Sequence, residues 1–79
     1  MVMTTGNTYK VIELVGSSSE GVQAAIDGAV TRASETIKNL DWFEVKEIRG
    51  SIQDGGVTWY QVKLAIGFRV LSAEDLKRG

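Results

Sequence analysis

The 79-residue sequence contains no cysteine, histidine or proline. Without thiolate or imidazole groups, the chain cannot build the usual kinds of zinc site, a cysteine nucleophile or a histidine-assisted acid–base mechanism. Carboxylates that hold hard cations are the metal donors that remain. No pair of carboxylates stands out as a general acid and base. The composition therefore argues against the familiar hydrolytic enzymes, and we expect a protein that is not an enzyme.

The sequence also lacks an excess of one charge and any long hydrophobic run. Nine basic and ten acidic side chains give a formal charge of -1, so no overall field attracts nucleic acid or anionic lipid. No apolar run approaches the roughly 20 residues that a membrane span needs. The amino terminus shows neither the basic region nor the hydrophobic stretch of a signal peptide. We expect a cytoplasmic protein that binds neither nucleic acid nor membrane.

The short length leaves little surface to bury. A domain of this size buries only about 60–65% of the surface of its unfolded chain, and it has neither a disulfide nor a zinc site to compensate. Self-association is therefore the expected source of further burial.

Hydrophobic patterns predict a strand followed by a helix. Residues 1–7 read as a loose lead-in, and a β-rich run starts at Thr8 and stops at Gly16. Ser17 and Glu20 have the spacing of a capping box, which predicts that a helix begins there, and Asn39 with Asp41 is expected to end it. Apolar residues recur at the helical period through this segment: Val22, Ala25, Ile26, Ala29, Val30, Ala33, Ile37 and Leu40.

A long hairpin is predicted after the helix. Its arms run from Trp42 to Ile52 and from Val57 to Val70, and Asp54-Gly55 supplies the residues of a tight primed turn. The second arm alternates clearly, with one face apolar and the other mixed. The mixed face carries Trp59, Gln61, Lys63, Ala65, Gly67 and Arg69.

The first hairpin arm changes phase, since apolar residues occupy odd positions at its start and even positions at its end. We explain the change by a bulge near Lys46 and Glu47, and the face taken by Arg49 stays unassigned. The expected fold is α+β, in β-α-β-β order, with a three-stranded antiparallel sheet against one helix. Residues 8–70 form this domain, and residues 71–79 are a tail that is either a short helical turn or disordered.

Four polar or aromatic side chains are the main candidates for ligand binding: Trp42, Gln61, Arg49 and Arg69. Trp42 could stack on another ring system, although tryptophan more often packs in a core, and the same alternatives hold for Trp59. Gln61 could read the edge of a heterocycle or face water. Arg49 and Arg69 suit a phosphate, although isolated arginines are more often solvated or paired with carboxylates.

Taken together, the residues resemble the dodecins, a family of small flavin-binding proteins with the same β-α-β-β order. The resemblance covers about residues 8 to 70. The segments that carry it are Tyr9 to Gly16 (YKVIELVG), Ala24 to Ile26 (AAI), Leu40 to Val45 (LDWFEV), Ile48 to Gly50 (IRG), Tyr60 to Val62 (YQV) and Gly67 to Arg69 (GFR).

The resemblance implies a hollow homododecamer whose long, curled sheet wraps the helix. It also implies that two flavins stack between symmetry-related copies of Trp42, and that Gln61 hydrogen-bonds the polar edge of the isoalloxazine ring. Arg49 and Arg69 fall on positions associated with the flavin phosphate, which favours FMN over riboflavin. Some members also hold coenzyme A as a second ligand, a role in which Lys10 or Arg32 would assist.

The function implied by the resemblance is flavin storage and sequestration. A stacked tryptophan quenches the flavin excited state by electron transfer, which limits photodamage and needs no acid, base or metal. The main alternative is a non-catalytic structural or interaction oligomer without flavin. A flavin-dependent enzyme ranks last, because two flavins held face to face leave little room for a substrate.

Overall fold

A computed structural model describes residues 6–72. It contains β1 (Thr8–Ser18), α1 (Val22–Ser34), β2 (Leu40–Gln53) and β3 (Gly56–Val70). The three strands form one antiparallel sheet in the order β1-β3-β2. The α+β class and the β-α-β-β order predicted from the sequence are confirmed. Residues 1–5 of the predicted lead-in and 73–79 of the predicted tail lie outside the described residues, and the predicted domain limits stay predictions.

The central strand β3 provides the largest fully buried side chains of the core. Val62, Leu64 and Ile66 alternate along one of its faces and are at most 1% exposed, as expected for a strand of period two with one face buried. The buried side of α1 is small and consists of Ala25, Ile26, Ala29 and Ala33. Small residues let the helix lie close to the sheet.

Gly16 belongs to that close contact rather than to a turn. A Cβ atom at this position would clash with the carbonyl oxygen of Ala25 in α1. The predicted stop of the first strand at Gly16 is therefore wrong. β1 continues to Ser18, which pairs with Tyr60 of β3.

The predicted capping box is also wrong. α1 begins at Val22 after Gly21, and no side chain caps its first turn. Ser17 pairs with Gln61 across the sheet, so strand pairing outweighs the local capping preference of the hydroxyl. The Ser18 hydroxyl instead accepts a hydrogen bond from the backbone N–H of Glu20 (3.0 Å).

The helix ends five residues before the predicted boundary, at Ser34. Leu40 is needed in β2, where it pairs with Phe68 and packs against the core from the strand. Its helical spacing was therefore misleading, although its burial was anticipated. Asn39 turns the chain with a φ of 66°, and its carbonyl accepts the backbone N–H of Arg69 (3.0 Å). Within residues 6–72, no helix has both the length and the apolar character needed to cross a membrane.

The turn and the bulge that were predicted for the hairpin are both confirmed. Asp54 and Gly55 both have positive φ, 52° and 81°, as a two-residue primed turn requires. Pairing between β2 and β3 shifts between Val45 and Glu47, where the sequence predicted a bulge. Two further shifts, between Leu40 and Trp42 and between Ser51 and Ile52, were not predicted.

Candidate functional site

The face of the sheet opposite α1, here called the open face, carries all four candidate residues. Residues paired across antiparallel strands lie on the same face. Trp42 pairs with Gly67 and Arg49 pairs with Gln61, and Arg69 lies on the same side of β3 by alternation. The pairing thus assigns Arg49, which sequence periodicity could not place.

Trp42 is held beside β3 by the absence of a side chain at position 67. A Cβ atom on Gly67 would collide with the indole atoms Cε2, Cζ2 and Nε1. The indole remains 41% exposed. The Tyr9 ring of β1 lies beside it, with ring centroids 6.3 Å apart and planes inclined at 51°, a tilted arrangement that aromatic pairs commonly adopt. Trp42 therefore presents a positioned aromatic surface to its surroundings.

Tyr9 is tied to the residue that precedes Trp42. Its hydroxyl donates a hydrogen bond to Asp41 Oδ2 at 2.7 Å. This hydrogen bond raises the pKa of the Tyr9 phenol above its ordinary value, with smaller contributions in the same direction from desolvation and the carboxylate charge. The positive charge of Arg69, which pairs with Tyr9 across the sheet, and a hydrogen bond with Asn7 act in the opposite direction. The phenol thus keeps its proton at neutral pH while holding it against a carboxylate.

A second polar group lies further along the open face. Arg49 Nε donates a hydrogen bond to Gln61 Oε1 at 3.1 Å. This bond determines the orientation of the amide, because only its oxygen can accept from a guanidinium. The Gln61 amide nitrogen is then presented as a donor. The two side chains line a shallow cavity of about 140 Å³ together with Val15, Glu47 and Lys63.

One chain does not bring the four candidates together. Trp42 lies opposite Gly67, and Arg49 lies opposite Gln61. Gly67 and Gln61 are roughly 20 Å apart along β3 at the usual strand rise of about 3.4 Å per residue, so Trp42 is separated by this distance from Arg49 and Gln61. Arg69 pairs with Tyr9, and we call Trp42, Tyr9, Asp41, Gly67 and Arg69 the Trp42 group. A ligand that stacks on Trp42 and also contacts Gln61 therefore needs these residues from different copies of the chain.

Sequence reasoning missed three members of the Trp42 group: Tyr9, Asp41 and Gly67. Tyr9 and Gly67 lie on the open face of their strands, so their period-two positions were visible. The proximity of Gly67 to Trp42 depends on the register of β2 against β3, and that of Tyr9 depends also on the register of β1 against β3. Neither register could be read from the sequence. Trp59 is 49% exposed and lies at the opposite end of β3, opposite Ser51.

The remaining charged side chains of the open face give weaker evidence for a binding site. Lys63 lies 3.6 Å from Glu13, and Lys46 lies 3.4 Å from Glu44. Both pairs are largely exposed, and such pairs contribute little to stability. Among residues 6–72, no three acidic side chains converge in the way a metal ion would need.

These features define a small α+β protein with one side of its sheet covered by a helix and an aromatic and polar face on the other. The protein-family model described as Dodecin matches residues 8–71. The chain belongs to the dodecin family.

The chain is similar in sequence and structure to several dodecins. The dodecin of Thermus thermophilus is 58% identical over 65 residues, which are 82% of this chain and 94% of the relative. Solved variants of the T. thermophilus dodecin, in which one tryptophan is replaced by phenylalanine or one of two arginines by alanine, have TM-scores of 0.79 to 0.80, with 54–55% identity over 85–86% of this chain and 100% of theirs.

The structure of a Streptomyces coelicolor dodecin is 50% identical, with a TM-score of 0.80 over 89% of this chain and 100% of its own. A more distant relative from Mycobacterium tuberculosis, named calcium dodecin, is 28% identical over 86% of this chain and 96% of its own length.

Proposed function

We propose that this protein binds FMN in a homododecamer in the cytoplasm, stores it, and protects it from light by quenching through Trp42. The observation that carries the proposal is the exposed indole of Trp42, positioned over Gly67 on the open face. A bound flavin supplies light absorption and an acceptor for one electron. No side chain needs to act as an acid or base on the ligand.

Trp42 suits the stacking role by its surroundings. Base-on-aromatic stacking contributes about 1–3 kcal/mol per base in other systems, and an extended flat ring gains similarly from an exposed indole. Gly67 and Tyr9 limit the positions that the indole can adopt, so less conformational entropy is lost when a ligand binds.

Gln61 and Arg49 suit the polar contacts. Because Arg49 Nε occupies the amide oxygen of Gln61, Gln61 would donate from its amide nitrogen to an acceptor on the ring edge. The other guanidinium N–H groups of Arg49 are suited to bind a phosphate, and so is the charge of Arg69. This preference for phosphate supports FMN over riboflavin, and coenzyme A carries phosphates that would allow it to act as a second ligand.

The separation between the two groups supports assembly. Since Trp42 and Gln61 lie roughly 20 Å apart along β3, a flavin that contacts both must bridge copies of the chain. On the helix side of β2, several apolar residues stay exposed despite the helix, and exposed patches of this kind mark subunit contacts. They are Phe43, Val45 and Ile48, which are 50%, 38% and 57% exposed.

The variants of the T. thermophilus dodecin give independent support. The tryptophan and the two arginines replaced in them are spaced along that chain as Trp42, Arg49 and Arg69 are along this one. Those substitutions concern the same residue types that form the candidate site.

The test combines assembly and binding in one measurement. The purified protein is mixed with FMN, freed of excess ligand, and analysed by size-exclusion chromatography with light scattering and visible absorbance. We expect a particle near twelve times the 8.6 kDa chain mass, with co-eluting flavin whose fluorescence is quenched. Trp42→Ala should remove the quenching and weaken binding by about 1–3 kcal/mol.

Trp59→Ala is the matched control, because Trp59 is similarly exposed on the same face but lies at the other end of β3. It should leave flavin affinity and quenching unchanged. An oligomer that stays colourless would favour the alternative of a structural or interaction protein. Equal effects of the two substitutions would refute Trp42 as the stacking residue.

A further inference from the structure

The Trp42 group contains a pair of side chains that flavin stacking does not use. Tyr9 lies 6.3 Å from Trp42 between ring centroids, and its hydroxyl donates to Asp41 Oδ2 at 2.7 Å. Asp41 directly precedes Trp42, so one strand end supplies both the indole and the carboxylate. The Tyr9 phenol, a possible electron donor, therefore lies beside the indole, and the Asp41 carboxylate is in place to accept the phenol proton.

We propose that Tyr9 is the electron donor that reduces oxidised Trp42, with Asp41 as the acceptor of the Tyr9 proton. The role of this relay in light protection rests on the proposed function, because flavin quenching is what would oxidise Trp42. The relay itself is a property of the three side chains and exists without flavin.

The relay consists of two one-electron transfers and one proton transfer. Trp42 loses one electron to a one-electron oxidant stacked on it, a photoexcited isoalloxazine in the proposed function, and becomes an indole radical cation. Tyr9 passes one electron to that cation while its O–H bond breaks and the proton moves to Asp41 Oδ2. Neutral Trp42, a neutral tyrosyl radical and a protonated Asp41 remain. Return of one electron from the reduced acceptor to Tyr9, with the proton from Asp41, restores the starting state.

The geometry favours this direction of transfer. Phenol oxidation is much easier when the proton can leave with the electron, and an ionised carboxylate in a short hydrogen bond is a suitable acceptor. Tyr9 is 36% exposed, but its hydroxyl is directed to Asp41 rather than to solvent. Trp59 lacks such a partner: among residues 6–72, Tyr9 and Trp42 form the only aromatic ring pair.

The relay predicts protection of Trp42. An oxidised indole that persists reacts irreversibly, whereas rapid reduction by Tyr9 returns it to its original state. The hole then resides on a tyrosyl radical that lies beside the ligand site rather than in the stack.

The test oxidises Trp42 without flavin. The ligand-free full chain, in a Trp59→Phe and Tyr60→Phe background, is exposed to a pulse of azide radicals, which oxidise tryptophan in preference to tyrosine near neutral pH. Transient absorption follows the indole and tyrosyl radicals. We expect the indole radical to decay as the tyrosyl radical appears, at a rate that does not depend on protein concentration.

Two variants assign the roles. Tyr9→Phe keeps the ring and should leave a long-lived indole radical with no tyrosyl signal. Asp41→Asn keeps a hydrogen-bond acceptor but removes the base, and should slow the transfer by roughly a hundredfold, the order expected when a positioned base is lost.

Several outcomes would overturn the relay: unchanged indole decay in Tyr9→Phe, a rate that rises with protein concentration, or an unchanged rate in Asp41→Asn. Because no flavin is present, such a failure leaves FMN binding and quenching untouched. Conversely, a protein that transfers the electron but never binds flavin would retain the relay and lose the proposed function.

Discussion

The indole ring of Trp42 lies in the space that a side chain on Gly67 would fill. These residues face one another across the pairing of β2 with β3, so the position of the tryptophan is determined by the strand register and by the absence of a Cβ atom. A glycine within a strand often marks a place where another group approaches closely. Here that group is the aromatic residue on which ligand binding is proposed to depend.

Gly67→Ala should displace the indole while retaining the fold. The clash involves side-chain atoms of a partly exposed residue, so we expect the ring to move rather than the backbone. The free energy of unfolding should then fall by about 1–3 kcal/mol. The tryptophan emission of the ligand-free protein should change, and the quenching of bound FMN should weaken. An FMN titration that matches the unchanged protein in affinity and quenching would contradict this account of the site.

Arg49 should affect FMN more than riboflavin. Arg49→Ala removes the hydrogen bond that orients Gln61, which should weaken both ligands by about 0.5–1.5 kcal/mol. It also removes the guanidinium that is proposed to contact the phosphate, which should weaken FMN by about a further 1.5–3 kcal/mol. Fluorescence titration of both ligands measures the difference.

Arg32→Ala is the control for this comparison, because Arg32 lies on the exposed side of α1. It should leave both affinities unchanged. If Arg49→Ala weakened FMN and riboflavin equally, Arg49 would orient Gln61 without contacting phosphate.

The sheet could be predicted from the sequence because its signals are local and repetitive. β3 alternates over its whole length, and Asp54-Gly55 closes a hairpin by its own backbone preferences. Even the bulge in β2 was visible, since a one-residue insertion moves later apolar side chains from odd to even positions. These features depend on residues close together in the chain.

The helix boundaries could not be predicted, because strand pairing competes with helix signals. Ser17 and Glu20 have the spacing of a capping box, and Leu40 continues the apolar helical period, yet Ser17 and Leu40 are taken into strands. Tertiary pairing outweighed local preference at both ends of α1. The grouping of Tyr9 with Trp42 was invisible for the same reason, because it depends on the register of β1 against β3.

Gly28→Ala should stabilise the protein. Gly28 lies within α1, nothing lies within 4 Å of a Cβ atom built there, and its conformation is helical. Alanine in place of glycine inside a helix raises stability by roughly 0.5–1 kcal/mol, chiefly by restricting the unfolded chain. Thermal unfolding of the apo protein should show a higher midpoint. A lower midpoint would mean that another chain covers this part of the helix in the assembly.

The Tyr9 phenol should titrate at higher pH than an ordinary tyrosine, whose pKa is about 10. The hydrogen bond to Asp41 is the largest cause, and it favours the protonated phenol. Since the pKa is raised in the folded state, the stabilisation is fully present below the pKa of the unfolded chain and is lost as the pH rises through the folded value. Ultraviolet difference titration of a Tyr60→Phe protein isolates Tyr9.

Asp41→Asn separates the causes of this shift. The amide removes the carboxylate charge and weakens the hydrogen bond, while Arg69 continues to act in the lowering direction, so the pKa of the phenol should move down towards its ordinary value. The part of the stability that Tyr9 loses at alkaline pH should become smaller, because the folded and unfolded pKa values of the phenol lie closer together. Asp27→Asn is a suitable control, because Asp27 accepts its hydrogen bond from Gln23 on α1, away from Tyr9. An Asp41→Asn protein whose phenol titrates as before would show that the carboxylate does not hold the Tyr9 proton, and would weaken the electron-relay proposal with it.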